Sequence, residues 1–291
     1  MDTISEIKTD KTNLEASHEH WFTKYLEVMN GSPQGLPPLC EINHKIPLID
    51  ENKQYSYCLP HCPKAMRPKL MEKLCQYIEN GWWTPKAVSQ AAPLLCIFKK
   101  LGSQWMVMDC HQCNENTHKD VTPFPDQDQI HMDVARAKYQ SKINLSNAYE
   151  QVRVTPKDMH KTAFSTVFRT FESNVMQQGD CNVPATFLWL MMAIYHDVIG
   201  IFVYAYLDNL FIFSNTLTDH DNHLDYIFET LQKHDLYLKR EKCNLYSGSM
   251  DCLGHWVDKR GVHADSDKMA YIHEWCTPHN HKDVQHFLRL V

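Results

Sequence analysis

The stretch that most restricts how this chain can fold is Phe202 to Ser214, which reads Phe-Val-Tyr-Ala-Tyr-Leu-Asp-Asn-Leu-Phe-Ile-Phe-Ser. Two runs of β-branched and aromatic residues, each of strand length, meet at a short polar pair, Asp208 and Asn209, the pattern of a buried β-hairpin. A carboxylate at the tip of such a hairpin is costly to hold there unless something cationic meets it. Asp208 is therefore either a metal ligand or an ordinary turn aspartate between two core strands. The hairpin alone does not choose.

Tyr206-Leu207-Asp208-Asn209 resembles the Tyr-x-Asp-Asp box of reverse transcriptases, with Asn in place of the second Asp. Further blocks, quoted below, resemble the gypsy-type long-terminal-repeat retrotransposon polymerases in order and spacing from about Leu36 to Val291. The resemblance implies an α/β (α+β) right-hand polymerase fold with fingers and palm, an antiparallel palm sheet backed by helices, and a truncated thumb. On that reading residues 1–60 are an upstream linker and lead-in of a polyprotein. Residues 61–265 are fingers (about 61–130 and 155–175) and palm, and residues 266–291 start the thumb.

A chain of 291 residues with 43% hydrophobic residues can build a sizeable core. No apolar run approaches a membrane span, and Met1 to Leu14 is polar and charged, unlike a secretory signal. An intracellular, reducing location is expected, with the 11 cysteines as thiols. The family would place the protein in the cytoplasm or in virus-like particles, not secreted and without a membrane partner. The net charge of −6 conflicts with the basic channel that a phosphate-tracking enzyme needs, and seven of the 29 basic residues are Arg.

Along the chain, Trp21, Phe22, Tyr25, Leu26 and Met29 are spaced as a short helix face within the expected linker, and Gly31 to Pro38 reads as a loop. Pro63 to Gly81 predicts a helix with Leu70, Leu74, Tyr77 and Ile78 on one face. Ala92 to Asp109 alternates as a hairpin turning at Leu101-Gly102-Ser103, and Ile130 to Tyr139 reads as a short helix. Pro184 to Tyr195 predicts a core helix facing inward with Phe187, Leu190, Met191 and Ile194. Asp219 to Asp235 predicts a charged helix whose His220, His223 and His234 are expected to be solvated, and Thr277 to Val291 begins another helix.

The resemblance also implies a site. Lys99 and Lys100 match basic residues that hold the incoming triphosphate, although a solvated lysine pair at a turn reads equally well. Trp105 and His111 stand where the family has arginines. In Lys142-Ile143-Asn144-Leu145-Ser146-Asn147-Ala148-Tyr149, similar to the first palm motif, Asn144 occupies the position of a metal-binding Asp, and Leu145 belongs to the nucleotide site. Tyr149 matches the ring that excludes a ribose 2′-hydroxyl, with packing under a helix as the other reading. Gln178-Gly179 resembles the pair against the nucleotide sugar, while Ser165 and Arg169 depart from the family's Arg and Gly. Leu253-Gly254-His255 resembles the block that bears on the primer's end.

The implied partners are an RNA or DNA template with primer, dNTPs, and the remainder of a polyprotein (protease, ribonuclease H, integrase). The implied cofactor is Mg2+ or Mn2+, held by three carboxylates; this chain offers Asp208 alone, with Asn144 and Asn209 at the other two positions. Losing two negative charges beside two dications removes several kcal/mol of metal binding and transition-state stabilisation, at ~1.4 kcal/mol per factor of ten in rate. A dead or severely crippled polymerase is expected, with weak or absent metal binding. Asp to Asn, Arg to His, Arg to Trp and Gly to Arg each follow from one codon transition, the mark of an eroded copy. A rival reading is a zinc-bound module built on Cys58-x-x-x-Cys62 and Cys110-x-x-Cys113 with His61 and His111. Another is a polymerase-like scaffold retained to bind nucleic acid.

Overall fold

The computed structural model describes residues 18–56, 58–98, 104–258, 260–264, 266–275 and 277–290. Its first elements are α1 (Leu26–Met29), α2 (Arg67–Glu79), β1 (Trp83–Pro85), β2 (Ala92–Phe98), β3 (Gln104–Met108), α3 (His111–Glu115) and α4 (Gln127–Arg136). Next come β4 (Tyr139–Asn144), β5 (Phe164–Ser165), β6 (Thr170–Ser173), α5 (Val183–Ile194), β7 (Val203–Tyr206), β8 (Asn209–Ser214) and α6 (Leu217–Lys233). The last are β9 (Asn244–Ser247), β10 (Ser249–Cys252), β11 (His255–Asp258), β12 (Gly261–Ala264), α7 (Ser266–Glu274) and α8 (His281–Leu290).

The strands form three sheets, in the orders β1-β6-β5-β2-β3, β7-β8-β4-β9 and β10-β11-β12. β8 has an apolar interior because it is covered on both faces. Leu210 and Ile212 join Phe187, Leu190 and Met191 of α5 and Leu224, Ile227, Phe228 and Leu231 of α6. Phe211, on the opposite face, packs with Ile130 and Val134 of α4 and with Met250, Cys252 and Val257 of the third sheet. Strands buried on both sides read as continuous apolar runs, not as alternation. This is the expected antiparallel sheet backed by helices, in a mixed α/β fold.

A second core lies under the five-stranded sheet, where Met66, Leu70, Leu74 and Tyr77 meet Trp82, Trp83, Leu94, Met108, Phe164 and Phe171. α2 carries Pro68 in its first turn, where a missing N–H costs nothing, and the chain leaves it through Gly81 at φ +69°. The predicted helix over Pro63 to Gly81 opens as a 3-10 turn, Lys64–Met66, and Ile78 is exposed. α4 begins at Gln127 because the Asp126 carboxylate caps the Asp128 N–H, three residues before the expected start. The first palm motif runs from β4 into a 3-10 turn, Ala148–Gln151.

Two expectations are corrected. Residues 18–30 are built into the core and do not merely link to it. Trp21, Phe22, Tyr25, Val28 and Met29 are buried against Phe228 and Tyr246, whereas Leu26 faces solvent. Trp21 Nε1 donates to the Tyr246 hydroxyl at 2.6 Å, and Leu238 N donates to the Val28 carbonyl at 2.7 Å. Nor are the helix histidines uniformly solvated. His220 is fully buried between Ser141 Oγ (2.7 Å) and Ser214 Oγ (2.8 Å), and His223 bonds Ser214 Oγ while stacking on Phe202 at 3.8 Å. Burial pushes the His220 imidazole down to about 3. The charged pattern of α6 describes its outer face; these two residues lie on the inner one.

Candidate nucleotide cleft and hairpin tip

β7 and β8 pair Tyr206 with Asn209, so the turn is Leu207-Asp208, one residue earlier than the polar pair suggested. Leu207 holds φ +53°, a left-handed backbone that leucine seldom adopts. The neighbouring strand explains the choice of register. β4 runs antiparallel to β8 with Asn144 opposite Asn209, and Leu145 N donates to the Asp208 carbonyl at 2.9 Å. The turn therefore delivers Asp208 directly over the end of β4.

Three side chains converge there. Asn144 Nδ2 donates to Asp208 Oδ2 at 3.0 Å and to Asn209 Oδ1 at 3.1 Å, while Asn209 Nδ2 donates to Asp208 Oδ1 at 2.9 Å. Each carboxylate oxygen already accepts an amide proton. Asn144 is buried, and its Oδ1 has no hydrogen-bond partner. A magnesium pair needs anionic oxygens free to coordinate. These residues present one carboxylate and two neutral amides, a set too poor in anionic oxygens to fit the pair. Among the described residues no group of three or more His, Cys, Asp or Glu side chains is placed to hold a metal ion.

Beside the tip opens a cleft of ≈ 650 Å³ whose walls include Leu145, Tyr149, Trp105, Gln178 and Asp208. The Tyr149 ring stands edge-on to Phe187 at 5.8 Å, and burial, then the charges of Asp208 and Glu150, raise its hydroxyl's pKa. Trp105 Nε1 donates to Gln178 Oε1 at 3.1 Å, joining β3 to the loop between β6 and α5. Gly179 has φ +126°, and a Cβ there would lie 2.5 Å from the Met108 carbonyl oxygen. Its own carbonyl accepts from Asn114 Nδ2 at 2.8 Å, so the loop is clamped from both sides. Lys99 and Lys100 lie outside the described residues.

Other expected site residues fall elsewhere. Leu253 (φ +52°) and Gly254 (φ +82°) make the turn that joins β10 to β11, and His255 lies edge-on to His131 at 4.8 Å. None of the three lines the cleft. Their hairpin is tied to β4 by Lys142 Nζ, 2.7 Å from Asp251 Oδ2. His111 is exposed and bonded to Asp109, which raises the imidazole's pKa and lowers that of the carboxyl. Every described cysteine is a free thiol; Cys58 is exposed and Cys62 is buried in the core beneath the five-stranded sheet.

Sequence reasoning missed the α2 wall of the cleft. Lys69, Lys73 and Gln76 line it one and two turns apart, beside the buried Leu70, Leu74 and Tyr77 stripe. Glu150 faces the same space, accepts a hydrogen bond from the Tyr77 hydroxyl at 3.3 Å, and has its pKa raised by burial. The available signal was the polar i, i+4, i+7 row beside the apolar one.

A family model described as reverse transcriptase (RNA-dependent DNA polymerase) matches residues 93–257. The Transposon Tf2-7 polyprotein of Schizosaccharomyces pombe is 24% identical over 254 residues, covering 87% of this chain and 19% of that protein. The Tf2-3 polyprotein of the same organism is 23% identical over the same length. The chain thus spans about a fifth of these relatives' length. Among solved structures, a foamy viral protease-reverse transcriptase in complex with dsDNA is similar with a TM-score of 0.81 at 19% identity, over 93% of this chain and 56% of that one. The same kind of protein in complex with an RNA/DNA hybrid gives 0.77 at 20% identity, over 92% and 36%. At that identity the likeness shows a shared fold. Since the family match runs from β2 to β11 and takes in more than half of the chain, the chain belongs to the reverse transcriptase (RNA-dependent DNA polymerase) family.

Proposed function

We propose that this chain is the reverse transcriptase part of a gypsy-type long-terminal-repeat retrotransposon polyprotein, in a degenerate copy whose DNA synthesis is lost or severely reduced. The observation that carries the reading is the hairpin tip, where neutral Asn144 and Asn209 side chains, each donating to the Asp208 carboxylate, stand beside that single acid. The family's reaction joins a primer 3′-hydroxyl to the α-phosphate of a dNTP, with charge neutralised by divalent cations. One carboxylate is too few to recruit them.

The cleft walls support a role for Leu145, Tyr149 and Gln178 at the nucleotide; Gly179, next to Gln178, is proposed to share it, and Leu253, Gly254 and His255 are proposed to meet the primer. The double-stranded ligands named for the foamy viral structures support a template with primer as partner. The Tf2 polyproteins support a longer parent chain, with fingers over about 61–130 and 155–175, palm over the rest of 61–265, and the thumb beginning at 266. A cytoplasmic or virus-like-particle location follows from that parentage.

Primer extension on RNA and DNA templates with magnesium or manganese tests the reading. Elongation no greater than that of an Asp208→Ala variant is expected; robust synthesis would refute the loss of activity. Salt-dependent binding of a labelled primer-template is expected as well, and its absence would remove the nucleic-acid reading. An excess of G-to-A and C-to-T differences between the coding DNA and sister copies is the expected trace of the erosion.

A further inference from the structure

A second cavity, of ≈ 340 Å³, lies between residues 44–56, the loop leading into β2 and the 3-10 turn Pro156–Thr162. Met108 and Gln177 line both this cavity and the cleft beside the hairpin tip, whereas Leu145, Tyr149 and Asp208 line the cleft alone. The space exceeds the ~150 Å³ that encloses benzene, so a molecule of one or two rings fits.

Its lining holds unmet polar atoms. His44 is 1% exposed; its Nδ1 shares a 3.0 Å hydrogen bond with Thr186 Oγ1, and its Nε2 has no hydrogen-bond partner. Asp180 Oδ2 lies 3.4 Å from that nitrogen, while Asp180 Oδ1 accepts from Asn182 N at 2.8 Å. Gln177 Nε2 is buried without a partner as well. An oxygen about 2.8 Å from both His44 Nε2 and Asp180 Oδ2 would pair the two of them.

The remaining charges of the lining choose the kind of oxygen. Glu51 pairs with Lys161 at 3.1 Å, Glu172 with Lys86 at 2.8 Å, and Asp109 with His111, while Lys53 and His160 are exposed. Asp180 is therefore the carboxylate that an entering group meets, and it repels an anion. An ammonium brings three donors to a wall that includes Val154, Ala163 and Pro93, where its lost hydration is not replaced. A hydroxyl donates once and accepts twice, so it can donate to Asp180 Oδ2 and accept from His44 Nε2–H. Sulfur chooses the body. Met108, Cys110 and Cys113 line the cavity, and burial raises the pKa of both thiols, which keeps them uncharged. Such sulfur atoms pack favourably against aromatic rings.

We propose that this cavity is a binding site for phenols, with the hydroxyl between His44 and Asp180 and the ring against Met108, Cys110 and Cys113. The site is independent of the hairpin tip and of any nucleotide.

Fluorine NMR titration of the full chain with 4-fluorophenol, 4-fluorotoluene, 4-fluorobenzoate and 4-fluorobenzylamine tests it. Saturable binding of 4-fluorophenol is expected, at least fivefold tighter than that of the other three. Asp180→Asn keeps an oxygen for Asn182 N but loses the anionic acceptor; it should weaken 4-fluorophenol at least fivefold, leave 4-fluorotoluene unchanged and melt as wild type. Cys113→Phe, which puts a ring into the space, should abolish binding of 4-fluorophenol without lowering the melting temperature. Equal binding of 4-fluorotoluene and 4-fluorophenol, or tighter binding of 4-fluorobenzylamine, would overturn the proposal. So would either variant binding 4-fluorophenol as wild type does, or the absence of saturable binding to wild type, which would leave the cavity to water.

Discussion

The Asn144 side chain donates a 3.0 Å hydrogen bond to the Asp208 carboxylate, across from a turn whose leucine is held at φ +53°. An aspartate at position 144 could not make this bond at neutral pH. The contact converts a site of mutual repulsion into one of mutual satisfaction.

Reversing it should make stability depend on metal. Asn144→Asp with Asn209→Asp removes the amide donors of three hydrogen bonds and gathers three carboxylates at one point. A loss of about 1–3 kcal/mol in EDTA is expected. Thermal melts should show millimolar magnesium or manganese restoring the variant while leaving wild type unmoved. A variant indifferent to metal would contradict the account of the tip.

Gly179→Ala should be expensive. The new Cβ would lie 2.5 Å from the Met108 carbonyl oxygen, on backbone at φ +126° that L-residues avoid. Urea titration is expected to show a loss of about 2–4 kcal/mol. The displaced loop should also break the Trp105–Gln178 hydrogen bond, read as a change in tryptophan fluorescence.

His220 predicts acid lability. Its imidazole titrates at about 3 in the fold against 6.5 when free, because burial disfavours the cation and His223 adds to the effect. Between those values the unfolded chain binds a proton that the folded chain refuses. Stability therefore falls as pH drops from about 6.5, by up to ~1.4 kcal/mol per pH unit. His220→Asn should be less stable at pH 7 yet show a flatter profile of urea midpoint against pH. An unchanged slope would rule out His220 as the source.

Trp21→Ala tests whether the N-terminal helical segment belongs to the core. The side chain is buried against Phe228 and Tyr25 and bonds the Tyr246 hydroxyl. Truncation is expected to cost about 3–5 kcal/mol, and Trp21→Phe much less. A change within a few tenths of a kcal/mol would mean that the segment is peripheral.

The local elements were legible because local spacing encodes them. The apolar runs flanking Asp208, the Phe187-Leu190-Met191 stripe and the alternation around β2 and β3 each report which backbone period buries them. The count of carboxylates at the tip was legible too. Residue chemistry is written in the chain whatever the fold, so the replacement of two acids by Asn144 and Asn209 needed no coordinates.

Contacts between distant segments decided the rest. Residue preference places a turn on Asp208-Asn209; pairing of Asn209 with Asn144, 65 residues away, moved it to Leu207-Asp208 at the cost of a strained leucine. The solvent pattern of α6 could not reveal that Ser141 and Ser214 would close around His220. Nor could α2 announce that Lys73 would line the same cleft as Glu150. The sequence by itself determined which side chains this protein owns and which stretches become strands or helices. Only the tertiary structure decided which of them meet, because burial and hydrogen bonding between remote segments are properties of their packing and leave no period in the chain.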